Sequence, residues 1–153
     1  MEEPESILSA IHPLLESQSL AVLATDRRGH PYSSLVAFVA SSDLTESLFA
    51  TSRSTRKFEN LRGNPRVSLL VDNRTHQPAD FRQAEAVTIL GEAHEVPEAE
   101  RPACEKPYLI RHPQLDMFVR SLESVMVRVY VSVYYHVTRF QDVQTFHPGP
   151  LDM

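Results

Sequence analysis

From Ser124 to Phe140 the chain reads SVMVRVYVSVYYHVTRF, and Val125, Val127, Val129, Val131, Val133, Tyr135 and Val137 occupy alternate positions. A period of two belongs to a strand with one face turned to a core. The run is long for one strand, so it is expected to bend strongly or to pass from one sheet region into another.

The rest of the chain supplies partners. LAVLATD (Leu20–Asp26), PYSSLVAFVAS (Pro31–Ser41), SLFATS (Ser47–Ser52), RVSLLVDN (Arg66–Asn73) and AEAVTILGEAHEV (Ala84–Val96) read as five further strands. Gly29 supplies the flexible position of a hairpin between the first two. Most connections are too short for parallel crossovers. Helical spacing appears over about 4–17, with Ile7, Leu8, Ile11, Leu14 and Leu15 on one face, where Pro13 is expected to kink or split the helix. A short helix is expected over about 56–63, capped by Ser54 or Thr55 and ended by Gly63-Asn64-Pro65. Asn73 to Arg82 reads as a polar loop, and residues 97–113 as a helical region broken by prolines. The clearest helix beyond it is PQLDMFVRSL, with Leu115, Phe118, Val119 and Leu122 on one face. The fold class is therefore mainly β with peripheral helices, a six-stranded antiparallel barrel. At 153 residues it is one domain, 1–153, ending in a short tail over about 146–153.

Between Thr51 and Asn73 the cations Arg53, Arg56, Lys57, Arg62 and Arg66 crowd together beside the hydroxyls of Thr51, Ser52, Ser54 and Thr55. The whole chain has 15 Lys and Arg against 20 Asp and Glu, a net charge of −5. Its surface should repel nucleic acid and anionic membrane, so the basic cluster suits a small anion. A helix starting at Arg56 offers unpaired N–H groups, an Arg fork and a Lys point charge, which together make a phosphate cradle. The alternative is a solvated basic helix end. Cations there oppose the helix dipole at about 0.3–1 kcal/mol each, which points to function overriding stability.

FATSRSTRKFENLRGNPRVSLLV, Phe49 to Val71, resembles the signature segment of the pyridoxamine 5'-phosphate oxidase-like, FMN-binding split-barrel family. Weaker likeness covers most of the chain, and AVTILGEAHEV with YLIRHPQLDMF is similar to the branch of haem-utilisation proteins. The resemblance implies a six-stranded split barrel acting as a homodimer, with FMN at the interface. Thr51, Thr55, Arg56 and Lys57 would hold the phosphate and ribityl chain, with Ser52 beside them. Ser34 and Val36 would lie near the flavin ring and offer backbone contacts. The end of the last strand would wall the partner's site. The family oxidase carries an Arg and a Lys on its second strand where Ser34 and Val39 stand here. Ala86 replaces its Gln, and QTFHPGPLDM has no Arg-x-His motif. The family's glycine-rich end to the last strand is also missing. Pyridoxamine phosphate oxidation itself is therefore not what the sequence implies.

The functional expectation is an FMN-binding flavoprotein, an oxidoreductase acting on a small-molecule substrate or electron donor. The alternatives are a haem-binding or haem-degrading barrel, with His136 or His147 as axial ligand, and a non-catalytic flavin-binding protein. A deazaflavin can take the place of FMN in the same cradle. His136 is expected to be a partly exposed surface or interface histidine. Tyr130 and Tyr134, opposite the valines, are expected to pack on a second subunit or under the helices. The seven histidines have no metal-binding spacing, so no metal site is expected. Cys104, the single cysteine, reads as an incidental thiol and fits a reducing compartment. The start MEEPESILSA lacks the features of a signal peptide, so a cytoplasmic location is expected.

Overall fold

A computed structural model describes residues 4–149, with side chains from Leu8 onward. Strands β1 (Leu20–Arg27), β2 (His30–Ala40), β3 (Glu46–Ser52), β4 (Arg66–Asp72), β5 (Glu85–Glu95), β6 (Ser124–Thr138) and β7 (Asp142–Phe146) form one sheet. Their order is β3-β2-β1-β4-β5-β6-β7, and a further β3–β6 pairing closes six of them into a barrel with β7 outside. Every pairing is antiparallel. Helices α1 (Pro4–Ser17), α2 (Arg56–Gly63), α3 (Asp80–Gln83), α4 (Arg101–Arg111) and α5 (Asp116–Arg120) lie between or before strands, with a 3-10 turn at Pro113–Leu115.

Alternation along the strands builds two apolar clusters. The barrel interior holds Leu23, Phe38, Phe49, Leu69, Ile89, Val127 and Val129, closed by Ile11, Leu14 and Leu15 of α1 and by Phe58 and Leu61 of α2. A smaller cluster lies outside the wall, where Tyr108, Cys104 and Val119 cover Leu48, Ala50 and Met126, with Ala37 and Val39 packed against them. Arg128 ties this outer layer down. Its guanidinium forms an ion pair with Glu46 at 3.0 Å and donates to Glu100 at 2.9 Å and to the Cys104 sulfur at 3.1 Å.

The long strand changes phase part-way. Leu90 pairs with Val133 and Gly91 with Val131, which leaves Ser132 as an extra residue in a β-bulge. The Ser132 hydroxyl donates to the Leu90 carbonyl at 3.0 Å. Before the bulge the odd residues Val125, Val127 and Val129 point inward, whereas after it Tyr134 and His136 are buried. The expected bend is present, and it overturns two expectations made from simple alternation. Tyr134 is fully buried, its hydroxyl donating to Leu44 O at 2.8 Å, while Tyr130 stays half exposed. His136 is buried instead of partly exposed.

Other elements differ from the sequence reading. One helix runs unbroken from Pro4 to Ser17 through Pro13, because Ile11, Leu14 and Leu15 all anchor its face in the core. The prolines of residues 97–113 do not prevent a full helix: Pro102 sits in the first turn of α4 and Pro107 inside it. The segment expected as the clearest helix is shorter, and Leu122 is almost fully exposed, because the helix stops at Arg120. Cys104, on α4, is buried against the outer cluster. The polar loop of 73–82 contains the start of α3. The seventh strand follows a tight turn at Arg139 (φ 53°) and Phe140 (φ 62°), and of the tail expected over 146–153, residues 150–153 lie outside the described ones.

Gly91 marks the point of closest approach at the bulge. A Cβ there would meet the Tyr130 carbonyl oxygen at 2.4 Å and a Val129 methyl at 2.9 Å. Neither strand can move without breaking the β5–β6 ladder. Gly91→Ala is expected to destabilise the protein by about 2 kcal/mol or more, read as a lowered midpoint in urea unfolding.

Candidate functional site

β2 and β3 start as an ordinary ladder and then part. Their register covers Ala40–Ser47, Val39–Leu48 and Phe38–Phe49 and goes no further. The next pair, Ala37 with Ala50, is held apart by a side chain from α4. The Tyr108 hydroxyl donates to the Ala37 carbonyl at 2.9 Å and accepts from the Ala50 N–H at 3.3 Å. Two residues further along β2, Lys57 Nζ donates to the Leu35 carbonyl at 3.1 Å. The β2–β3 ladder is therefore replaced beyond Phe38–Phe49 by side chains of Tyr108 and Lys57, and α2 begins beside the split.

The helix start is built by hydroxyls. Thr55 is the N-cap, its Oγ1 accepting from Phe58 N at 3.4 Å while donating to the Ser52 carbonyl at 2.8 Å. Its one proton being spent there, the Thr51 hydroxyl at 3.0 Å is the donor between the two threonines. Arg56 and Lys57 are the first two helical residues, so their N–H groups have no intrahelical acceptor. Neither side chain has a carboxylate partner among the described residues, although Arg27 is paired with Glu59 at 2.6 Å and Arg53 with Glu95 at 3.1 Å. The Arg56 guanidinium stacks 5.5 Å from the centre of the Tyr32 ring. Partial burial lowers the Lys57 pKa below the ordinary lysine value.

The structure thus gathers Thr51, Ser52, Thr55 and Lys57 at one corner, with Arg56 turned outward over Tyr32. Ser34 and Val36 lie one residue either side of the carbonyl that Lys57 reaches, with Val36 only 4% exposed and facing the barrel interior. The Ser34 Oγ is buried with no hydrogen-bond partner among the described residues. A cavity of about 470 Å³ beside the corner is lined by Arg53, Ser54, Thr55, Phe58, Glu59 and Arg62, and it shares only Thr55 with the seven residues named from sequence. Tyr32, Leu35 and Tyr108 were missed. Tyr32 adjoins the Ser33-Ser34 pair and could have been noticed, whereas Leu35 acts through its backbone and Tyr108 comes from a distant proline-rich segment.

The corner stands at the rim of a partly exposed sheet face. The register aligns Leu35, Val22, Leu70, Thr88 and Tyr135 across five adjacent strands. The outer cluster beneath α4 lies on another part of the wall. Leu35 is 61% exposed and Leu20 53%.

A family model described as pyridoxamine 5'-phosphate oxidase matches residues 7–135. The chain belongs to the pyridoxamine 5'-phosphate oxidase family. No curated protein matches it in sequence. Among solved structures, a heme binding protein from Mycobacterium smegmatis superposes with TM-score 0.79 at 16% identity, covering 96% of this chain and 59% of that one. A FAD-binding protein from Mesorhizobium loti gives TM-score 0.67 at 20% identity, covering 84% and 90%. General Stress Protein 26 from Bacillus anthracis gives 0.66 at 18%, covering 92% and 98%. The chain thus spans about three-fifths of its M. smegmatis neighbour. These likenesses establish the split-barrel fold of this family member. No helix among the described residues is long and apolar enough to cross a membrane.

The Thr55 cap serves both the helix and the corner. Thr55→Ala in this family member is expected to cost about 1 kcal/mol, read as a lower urea midpoint at unchanged slope.

Proposed function

We propose that the chain is a flavin-dependent oxidoreductase that binds FMN at the β3–α2 corner, between two copies of the barrel. The observation that carries this reading is the pair of cations, Arg56 and Lys57, left without carboxylates at a capped helix start. A phosphate monoester fits that donor set. It can take the helix N–H groups, the Thr51 and Thr55 hydroxyls after rotation, the Arg56 fork and the Lys57 ammonium. Lys57 has three N–H donors and reaches the ligand while keeping its bond to Leu35 O. The unpartnered Ser34 hydroxyl suits a polar edge of the ring or the ribityl chain.

The bound flavin would supply the electron transfer between a donor and a small-molecule substrate. The chain's own part is to bind, orient and exclude water. Thr55 fixes the helix so that Arg56 and Lys57 start from defined positions. A second copy seated on the row from Leu35 to Tyr135 would bury exposed apolar surface and roof the corner, since such patches mark association sites. Ser34 and Val39 replace the two cations of the family oxidase, so the substrate is a different one from pyridoxamine phosphate.

Haem is the second reading, favoured by the M. smegmatis neighbour and by one local geometry. His147 is exposed with Nδ1 3.2 Å from the Ser132 carbonyl, which leaves Nε2 free for a metal. His136 is less suited, being 5% exposed.

Purified protein is expected to bind FMN. Arg56→Ala and Lys57→Ala should each weaken it about 10–100-fold, from the loss of about 1.5–3 kcal/mol per charged hydrogen bond, measured by quenching of flavin fluorescence. No FMN binding, with a haem Soret band that is lost in His147→Ala, would replace this reading by the second. Leu35→Arg is expected to shift the protein to monomer in sedimentation velocity and to weaken FMN binding with it. A dimer that survives the substitution would place the contact elsewhere.

A further inference from the structure

We propose that Tyr108 is a positioning residue whose hydroxyl, inserted between β2 and β3, keeps the two strands apart beside the corner that receives the flavin. This rests on the flavin reading for its consequence, although the wedge itself stands on the geometry of the strands.

Three observations carry it. In an antiparallel ladder, residues that exchange hydrogen bonds recur at every second position. Ala37 and Ala50 are the pair that would follow Val39 and Leu48 in register. Both groups of the missing exchange that the structure assigns, Ala37 C=O and Ala50 N–H, end on the same phenol oxygen instead. The hydroxyl thus replaces a direct bond with a two-step bridge, and a bridge through one oxygen keeps the strands apart. Second, the phenol is rigidly aimed. Tyr108 is fully buried, its ring 5.0 Å from that of His112, and His112 Nε2 lies 2.8 Å from Phe38 O on the same strand. Tyr108 in the last turn of α4 and His112, the residue that caps it, therefore grip β2 at consecutive positions. Third, the next exchange along, at Leu35, is taken by Lys57 of the cradle. The strands stay unpaired where the ladder has been replaced, first by Tyr108 and then by Lys57.

Burial pushes the Tyr108 phenol up to about 12, so it keeps its proton, and with it both hydrogen bonds, at any working pH. The bridge is a fixed spacer. Without the oxygen, the lowest-cost way to satisfy two buried backbone groups is to let them meet, which extends the ladder by one pair and draws the end of β3, with the Thr51–Thr55 corner, towards β2.

The test compares the unsubstituted protein with Tyr108→Phe. The variant keeps the ring and its packing. It should fold, bind FMN at least ten-fold more weakly, and keep the Ala50 amide protected in hydrogen exchange, because that amide then bonds Ala37 directly. A simple loss of support would instead leave the Ala50 amide exchanging quickly, and that result, or unchanged FMN affinity beside a binding wild type, would overturn the proposal. If wild-type protein binds no FMN, the flavin reading fails by itself, and the Ala50 amide still decides the wedge. If Tyr108→Phe cannot be purified, NMR of the wild type decides. A slowly exchanging Tyr108 hydroxyl proton with a cross-peak to the Ala50 amide is expected, and its absence would contradict the bridge.

Discussion

The organisation of this molecule turns on one interrupted ladder. β2 and β3 pair at Phe38–Phe49 and then separate, with the Tyr108 hydroxyl between Ala37 and Ala50. Were the two strands zipped to their ends, Lys57 could not reach the Leu35 carbonyl, and the Thr51–Thr55 hydroxyl pair would be drawn towards β2. Barrel closure is preserved because β3 transfers its other edge to β6, pairing from Glu46–Tyr130 to Ser52–Ser124. The fold can thus give up hydrogen bonds at one seam while the opposite seam holds the strand in place.

The second constraint is the bulge at Ser132. It lets one strand serve two environments, with Val125, Val127 and Val129 inside the barrel and Tyr134 and His136 buried further along. The close contact of Gly91 with Tyr130 is the local condition for it. The turn after β6 then sends β7 back along the outside through two left-handed residues, Arg139 and Phe140. Such a conformation in non-glycine residues costs about 1–2 kcal/mol each, which the β6–β7 pairing and the Phe81–Phe140 ring contact help to offset.

These features explain what the sequence could and could not disclose. The corner was legible because it is local: Thr55-Arg56-Lys57 sit together in the chain, and a cap followed by cations states its own geometry. The barrel was legible from alternation and short turns. The phase change at Ser132 was not, because Val131, Val133, Tyr135 and Val137 keep an apolar rhythm on both sides of it. β7 was missed because Arg139-Phe140 carries none of the Gly or Asn that announces a tight hairpin. Tyr108 was invisible for a different reason. Its partners Ala37 and Ala50 are remote in sequence, and Pro107 beside it suggested a broken helix. Burial of His136 and Tyr134 follows from the bulge and was lost with it.

The account rests on Arg56 and Lys57 recognising a phosphate, so the most direct measurement compares FMN with riboflavin, the same ring and chain without that group. Isothermal titration of the wild-type protein is expected to give FMN an advantage of about 100-fold or more, from two charged hydrogen bonds of about 1.5–3 kcal/mol each, and that advantage should largely vanish in the Arg56→Ala, Lys57→Ala double variant. Equal affinities for the two flavins in the wild type would contradict the account.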